Sequence, residues 1–249
     1  MLNRRKMIQA LSAALVVPGG VPGGVPVSVR PDAAVVPAYF SPEFYPGAWD
    51  QLADPRLYAV VLNIASGPGL VPDPLFAGAV RRIEDLGGTV TGYVDVGYGS
   101  RPAEVIDLEA RRYRQWYGVA DVFFDQVPAG PAGLPYMQQV TELVRGRGAE
   151  FVVFNHGTYP DAAYDTLADL LVTFEGPLSA YTAAQPPAWT LQGPGKRFCA
   201  LVYGVSAGDL DSVLALAGQR NTGVVFVTDR SGVNPYDELP SYFPKLVAL

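Results

Sequence analysis

The sequence contains little of what metal and redox sites require. Among its 249 residues there is one cysteine, Cys199, and one histidine, His156. An internal disulfide, a cysteine-based metal site and a histidine-rich metal site are therefore excluded. Cys199 stands in an apolar run, which indicates a buried structural thiol. We predict a protein that uses no metal and no other cofactor.

Basic residues are also scarce, with 18 Lys and Arg against 24 Asp and Glu and a net charge of −6. A nucleic-acid binder needs a basic surface, so this class of partner is excluded. The excess of acidic residues is compatible with a neutral or cationic substrate. The apolar run near the N-terminus is shorter than the roughly 20 residues that a membrane span requires. We expect a monomer without a stable membrane span.

The first 33 residues have no core-forming pattern. In Met1–Val17, the basic residues Arg4, Arg5 and Lys6 precede a short apolar run, which resembles a twin-arginine export signal. Residues 18–33 read as a Pro/Gly linker, and an uncleaved disordered tail is the alternative to export. The sequence thus predicts a secreted, extracellular protein whose folded domain spans residues 34–249.

Apolar runs alternate with helical patterns through the rest of the chain. Eight runs of this kind predict a single (β/α)₈ TIM-type barrel of the α/β class. A doubly wound sheet is the alternative, but no G-x-G-x-x-G follows the first strand. The predicted strands are Val35–Phe40, Tyr58–Ile64, Thr89–Val94, Val122–Asp125, Phe151–Asn155, Leu170–Phe174, Phe198–Tyr203 and Val224–Thr228. The predicted helices are Pro74–Leu86, Pro102–Trp116, Leu134–Arg147, Asp161–Leu167, Gly208–Gly218 and Leu239–Leu249, with a helical turn near Ser179–Tyr181.

A polar residue closes each predicted strand. In a barrel the carboxyl ends of all strands meet at one mouth, so these side chains are expected to share a cleft. Each residue alone could cap a helix or anchor a loop. The residues are Tyr39, Asn63, Asp95, Asp125 with Gln126, Asn155 with His156, Glu175, Tyr203 and Asp229. Tyr98, Trp116, Tyr159, Tyr181 and Trp189 are candidate platforms for sugar rings, although Trp116 is better explained as exterior core.

Such a cleft favours glycoside hydrolysis, in which one carboxylate acts as nucleophile or base and another as general acid. The aspartates come from separate strands and lack the spacing of a calcium or magnesium loop. A sugar isomerase or aldolase barrel would need a lysine or a set of metal-binding histidines.

Several stretches resemble the spherulin-4-like family of glycoside hydrolases, also called spherulation-specific. Together they extend over nearly the whole chain after the linker. They are VPAYFSP and GAWD within 36–50, LNIASGPG at 62–69, GYVDVGYGSRP at 92–102, WYGVADVFFDQV at 116–127, FNHGTYPD at 154–161, VTFEG at 172–176 and ALVYGV at 200–205.

The resemblance implies a (β/α)₈ barrel that cleaves galactosaminogalactan, a partly deacetylated, cationic α-1,4-linked polymer of galactose and galactosamine. It also implies that Asp125 and Glu175 are the catalytic pair, Asp125 as nucleophile or substrate-orienting carboxylate and Glu175 as acid/base. The other strand-end residues and Tyr98 are expected to bind sugar.

One position departs from the family pattern. The family has Asp-Glu after the fourth strand, whereas this chain has Asp125-Gln126. An amide cannot serve as a general acid. Two interpretations follow: an active secreted hydrolase that relies on Asp125 and Glu175, or a weak or catalytically silent barrel that binds amino-sugar polymers.

Overall fold

The computed structural model describes residues 30–249, and within them eight parallel strands form a closed barrel in chain order. The predicted (β/α)₈ barrel is confirmed, and the doubly wound sheet is excluded. The predicted export signal and most of the linker lie outside the described residues. The strands are β1 Ala33–Ala38, β2 Ala59–Leu62, β3 Val90–Asp95, β4 Val122–Asp125, β5 Val152–Asn155, β6 Leu170–Pro177, β7 Phe198–Tyr203 and β8 Val224–Val227.

Helices connect the strands on the outside of the barrel. The first, Pro46–Leu52, is absent from the predicted elements because Pro46 and Gly47 gave it a turn-like sequence. Between β5 and β6 the connection is a 3₁₀ helix, Ala162–Thr166. The α-helices are α1 Pro46–Leu52, α2 Pro74–Asp85, α3 Ala103–Tyr117, α4 Leu134–Gly146, α5 Leu178–Ala183, α6 Leu210–Gln219 and α7 Phe243–Val247. None of the helices in residues 30–249 is long and apolar enough to cross a membrane.

Close packing of α3 against the sheet depends on Gly92 in β3. A Cβ atom built on Gly92 would lie 2.6 Å from Cγ of Tyr113, so only glycine leaves room for this ring. The Tyr113 hydroxyl in turn donates a hydrogen bond to the carbonyl of Leu62, at 3.0 Å. This contact fixes α3 against the carboxyl ends of β2 and β3, where the polar strand-end residues lie.

The pairing register defines which side chains face the barrel interior. Paired residues of neighbouring parallel strands lie on the same side, and side chains alternate along each strand. Asp95 pairs with Asp125, and Tyr93, two residues before Asp95, pairs with Phe123. All four side chains therefore belong to the inward set.

A β-bulge in β6 breaks this alternation. Val172 pairs with Cys199, and Glu175 pairs with Leu201, with the register shift between Val172 and Phe174. Cys199 and Leu201 are two residues apart in β7 and therefore face the same side. Their partners in β6, Val172 and Glu175, are three residues apart, so regular alternation would place these two on opposite sides. The bulge supplies the extra residue and so turns Glu175 inward, as bulges beside sites commonly do.

Arg220, just after α6, is buried without a carboxylate partner among the described residues. Its guanidinium donates to the carbonyls of Tyr181, Thr182 and Ala184, which end α5. Its Cζ also lies 4.5 Å from the centre of the Tyr181 ring. The positive charge is thus stabilised by helix-end carbonyls and an aromatic face.

We expect Arg220→Met to lower the free energy of unfolding by about 2–4 kcal/mol, because the buried carbonyl of Tyr181 and two part-buried carbonyls would lose their donor. Urea denaturation monitored by circular dichroism measures this change. Arg81→Met, at an exposed position of α2, is the matched control and should change stability by less than about 0.5 kcal/mol. Equal effects of the two substitutions would contradict the role given to Arg220.

Candidate active site

The centre of the barrel mouth is a hydrogen-bonded group of three side chains from adjacent strands. Asp125 closes β4, Asn155 closes β5, and Glu175 follows the bulge of β6. The Nδ2 of Asn155 donates to Oδ1 of Asp125 at 2.7 Å and to Oε2 of Glu175 at 2.6 Å. Because both bonds start at one nitrogen, the two carboxyl oxygens can be no farther apart than the sum of the bonds, about 5.3 Å.

Two tyrosines that the sequence analysis missed complete this group. The Tyr93 hydroxyl donates to Oδ2 of Asp125 at 2.8 Å, and the Tyr236 hydroxyl donates to Oε1 of Glu175 at 2.8 Å. Each carboxyl group therefore has an amide donor on one oxygen and a phenol donor on the other. Tyr93 could have been found from the sequence, since it stands two residues before Asp95 on the same strand face. Tyr236 comes from the segment after β8 and has no local sequence signal.

Tyr39, which follows β1, lies between these two phenols. Its ring makes edge-to-face contacts with Tyr93, at 5.5 Å between centroids, and with Tyr236, at 5.6 Å. Its backbone N–H also donates to the carbonyl of Tyr236 at 3.2 Å. Edge-to-face aromatic pairs fix ring orientation, so Tyr39 holds both carboxylate-binding phenols in place.

The enclosure of the two carboxyl groups raises the pKa of each. For Asp125, burial raises the pKa, and hydrogen bonds from Tyr93, the backbone of Gln126 and Asn155 partly offset this effect. For Glu175, burial again raises the pKa most; the nearby charge of Asp125 adds to it, and the bonds from Asn155 and Tyr236 oppose it. Asp125 has the larger set of donors, which favours its ionised form.

A cavity of about 450 Å³ opens above Glu175. Its wall includes Tyr39, Asn63, Tyr93 and the segment 233–236. Asn63 also accepts a hydrogen bond from the backbone of Gly67 at 3.0 Å, which holds the turn after β2. The volume is within the range of ligand pockets, about 300–1,000 Å³.

Tyr203, at the end of β7, is half-buried and interacts electrostatically with Tyr236.

Asp95, Tyr98 and Gln126 lie at the ends of β3 and β4. Asp95 accepts a hydrogen bond from the backbone of Gly97 at 2.6 Å, and Tyr98 donates its backbone N–H to the carbonyl of Gln126 at 2.8 Å. Tyr98 is exposed. Both Tyr98 and Gln126 have left-handed backbone conformations, with φ of 53° and 52°. Non-glycine residues in this region are strained, and such strain is concentrated at functional sites.

The structure does not bring His156 or Asp229 into the central group. By the strand alternation both face outward. The Nδ1 of His156 lies 3.1 Å from the carbonyl of Pro128, and its ring packs on Tyr164 at 4.7 Å. Burial lowers the pKa of His156 to about 4, so the ring is neutral and donates this bond at neutral pH. Asp229 accepts a bond from the backbone N–H of Ser241 and so anchors the segment after β8.

Two of the proposed stacking platforms are corrected by the structure. Tyr181 is fully buried against Phe174 on the outside of β6. Trp189 packs on Phe198, the first residue of β7, at the opposite end of the barrel from the mouth. Trp116 packs against Tyr117 at the end of α3, in agreement with its interpretation as exterior core.

The segment after β7 matches the G-x-S-x-G pattern of serine hydrolases at 204–208, a match that the sequence analysis overlooked. A serine nucleophile in such a turn has a strained backbone and a histidine base beside it. The positive φ here belongs to Gly204, not to Ser206. Ser206 instead donates to Oδ2 of Asp209 at 2.6 Å on an exposed surface. The geometry therefore does not support a serine nucleophile.

Across residues 30–249, no group of three or more His, Cys, Asp or Glu side chains is arranged to hold a metal ion. The chemistry available at the mouth is that of two carboxyl groups with phenol and amide donors.

Comparisons with known proteins agree with this architecture. The family model described as "Spherulation-specific family 4" matches residues 33–249. The crystal structure of Sph3 from Aspergillus clavatus, in complex with GalNAc, superposes with a TM-score of 0.76 and 24% identity, covering 88% of this chain and 97% of that one. Among curated proteins, no significant match is found.

More distant barrels share the fold alone. The spore cortex-lytic enzyme SleL of Bacillus cereus has a TM-score of 0.51 and 10% identity, with 87% of this chain and 74% of that one covered. Deoxyribose phosphate aldolase of Aeropyrum pernix has a TM-score of 0.50 and 17% identity, with 80% and 85% covered.

The raised pKa of Glu175 predicts a pH-dependent loss of stability. An unfolded glutamate titrates at about pH 4.3. Between that value and the higher pKa in the folded state, the folded protein keeps a proton that the unfolded chain has released. Wild-type stability should therefore fall as the pH rises through this window.

Because Glu175→Gln cannot ionise at this position, its free energy of unfolding should rise relative to that of the wild type as the pH increases from about 4.3 through the raised pKa of Glu175. Urea denaturation at several pH values measures the difference. Glu104→Gln, at an exposed position of α3, controls for the substitution itself. A difference that stays constant with pH would show that Glu175 does not have a raised pKa.

Proposed function

The chain belongs to the spherulation-specific family 4, and on this premise we propose that it is a glycoside hydrolase that cleaves α-1,4-linked, galactosamine-containing polysaccharide with Asp125 and Glu175. The observation that carries the proposal is the single Asn155 amide that bonds both carboxyl groups. A purely structural pair of acids would not need to be buried side by side at the open end of a barrel, where each makes the other harder to ionise.

The separation of the two acids favours a retaining mechanism. Retaining glycosidases place their carboxyl groups about 5–5.5 Å apart, and inverting enzymes place them about 6.5–9.5 Å apart to admit a water molecule. The bonded oxygens of Asp125 and Glu175 are at most about 5.3 Å apart, which is shorter than the spacing of inverting enzymes. The expected product therefore keeps the anomeric configuration of the substrate.

The environments of the two acids suit different roles. Glu175, whose pKa is raised by burial and by the charge of Asp125, holds the proton that the leaving oxygen of the glycosidic bond needs. Asp125, with three donors, is the carboxylate that attacks the anomeric carbon or orients the substrate. In the first case Glu175 then removes a proton from the water that releases the glycosyl group from Asp125.

The substrate class is supported by charge and by a relative. The Sph3 structure was determined in complex with GalNAc, an amino sugar in acetylated form. A deacetylated galactosamine unit carries a positive charge, which the acidic groups of the mouth and the net charge of −6 would attract. Hydroxyl groups of the sugar would bind Tyr39, Asn63, Asp95 and Tyr203. His156 and Asp229 would support the walls, since they face outward.

Gln126 favours a second candidate, a catalytically weak barrel that binds amino-sugar polymers. It stands where the family has glutamate, and its left-handed backbone ends the alternation of β4. If the missing carboxyl group were the general acid, the chain would bind glycan without cutting it.

Action on an extracellular polysaccharide is consistent with export. The signal-like segment Met1–Val17 would direct the chain out of the cell, and the folded barrel would follow the Pro/Gly linker.

Loss of either acid should abolish turnover and leave binding largely intact. Asp125→Asn and Glu175→Gln should each lower kcat on an α-1,4-linked galactosamine polymer by on the order of 10²–10⁴ or more, because proton transfer or nucleophilic attack is lost. Reducing-end assays measure turnover, and co-sedimentation measures binding. Asp85→Asn and Glu104→Gln, both at exposed helix positions, are matched controls. Full activity of Glu175→Gln would disprove its role as the acid.

Restoring the family residue distinguishes the two candidates. In Gln126→Glu the new glutamate side chain has the same shape as glutamine, so the substitution adds no strain to the left-handed backbone at this position. If Asp125 and Glu175 suffice, activity should change by less than about threefold. A rise on the order of 10² or more would instead favour the weak barrel. A large loss would mean that the amide of Gln126 is itself a ligand, which contradicts both candidates.

A further inference from the structure

A second cavity, of about 490 Å³, lies beside the barrel mouth and takes no part in the proposed chemistry. It is formed between the segment that joins β1 to α1 and the segment that joins β8 to α7. We call it the outer cleft. Its wall includes Phe44, Tyr45, Arg230, Glu238 and Phe243.

The outer cleft and the catalytic cavity are built from the same two chain segments. Tyr39 and residues 233–236 line the catalytic cavity, whereas residues 44–48, 230, 238–241, 243 and 244 of the same two stretches of chain line the outer cleft. The backbone bond from Tyr39 to Tyr236 joins the two segments between the cavities. Because the same two segments form both cavities, the outer cleft is a suitable place for a polymer that leaves the mouth over the segment after β8.

The aromatic side of the outer cleft is exposed, and the ring of Tyr45 within it is held in place. Phe44 is 75% exposed and Tyr45 is 38% exposed. The Tyr45 ring rests edge-on against Phe40 at 5.6 Å, and Phe40 rests against Trp49 at 5.9 Å. The indole N–H of Trp49 also donates to the carbonyl of Phe40 at 3.2 Å. Tyr45 thus gives the cleft a fixed aromatic edge beside the exposed ring of Phe44, and such rings suit the C–H face of a pyranose.

The opposite side of the outer cleft is polar and has no net charge. Arg230 and Glu238 form an ion pair at 2.6 Å, with 38% and 42% of their side chains exposed. The Nε of Arg230 is buried, makes no hydrogen bond to any described residue and lies 4.0 Å from Oδ1 of Asp229, so it does not face the ligand. This pair offers both donors and acceptors. The combination fits a ligand with many hydroxyl groups better than an apolar one.

We propose that the outer cleft is a second saccharide-binding site, which takes pyranose units of the same polymer that is cut at the mouth. The ring of Phe44 stacks on a sugar face, and Arg230 with Glu238 binds its hydroxyl groups. The proposal rests on the proposed function, since it assumes a polysaccharide substrate. The outer cleft holds long polymer chains, so it contributes to polymer binding and not to bond cleavage.

The test compares long and short substrates. Phe44→Ala should lower kcat/KM on an α-1,4-linked galactosamine polymer by about tenfold, the loss of roughly 1.4 kcal/mol of binding. Turnover of the shortest oligosaccharide that the wild type cleaves should change by less than about twofold, because that ligand fills only the mouth. In the Glu175→Gln background, Phe44→Ala should weaken co-sedimentation with the polymer by a similar factor.

Two variants control this experiment. Leu70→Ala removes a side chain that is 88% exposed after β2, outside the outer cleft, and should leave both substrates unaffected. Phe44→Tyr keeps the ring and should restore polymer binding.

The outcomes separate this inference from the proposed function. If the wild type cleaves the polymer and Phe44→Ala does so equally well, the outer cleft is not a binding site while the function stands. Equal losses on long and short substrates would place Phe44 in the mouth or in folding and would also overturn the inference. If the wild type neither binds nor cleaves the polymer, the proposed function itself is wrong.

Discussion

The whole site depends on one amide nitrogen. Asn155 donates both of its Nδ2 hydrogens, one to Asp125 and one to Glu175, and these three residues come from three neighbouring strands. The bonds can form only if β4, β5 and β6 are held in a single register. That register is fixed by the buried, mostly β-branched interior of the strands and by helices such as α3, which Gly92 allows to pack closely. The core of the barrel thus determines the spacing of its two acids.

This arrangement is unfavourable for folding in one respect. Two acids with raised pKa values share an enclosed space, and each ionised form opposes the other. The surrounding phenols, Tyr93 and Tyr236, reduce that penalty by donating to the outer oxygens. Tyr39 restrains both phenols through edge contacts. The aromatic residues near the acids therefore both stabilise charge and line the cavity.

Much of the fold could be predicted from the sequence because a parallel barrel has a clear sequence pattern, in which each apolar run ends on a polar residue. This pattern located Asp125, Asn155 and Glu175 correctly at one mouth. It could not separate adjacent residues such as Asn155 and His156, since a strand pattern alone does not say which of two neighbours faces inward. Tyr236 was missed because its position depends on the path of a long connection.

The bulge in β6 has a consequence for the comparison of related sequences. Glu175 faces the barrel axis only because one extra residue precedes it in the strand. A relative that had lost that residue could keep a glutamate in the corresponding alignment column and yet present it to the surrounding helices. Conversely, a barrel of this type could gain an acid at its mouth through a one-residue insertion, without any change in residue identity. Alignment of the acidic residue is therefore an incomplete criterion for activity in such barrels, and the length of the strand before it must be compared as well.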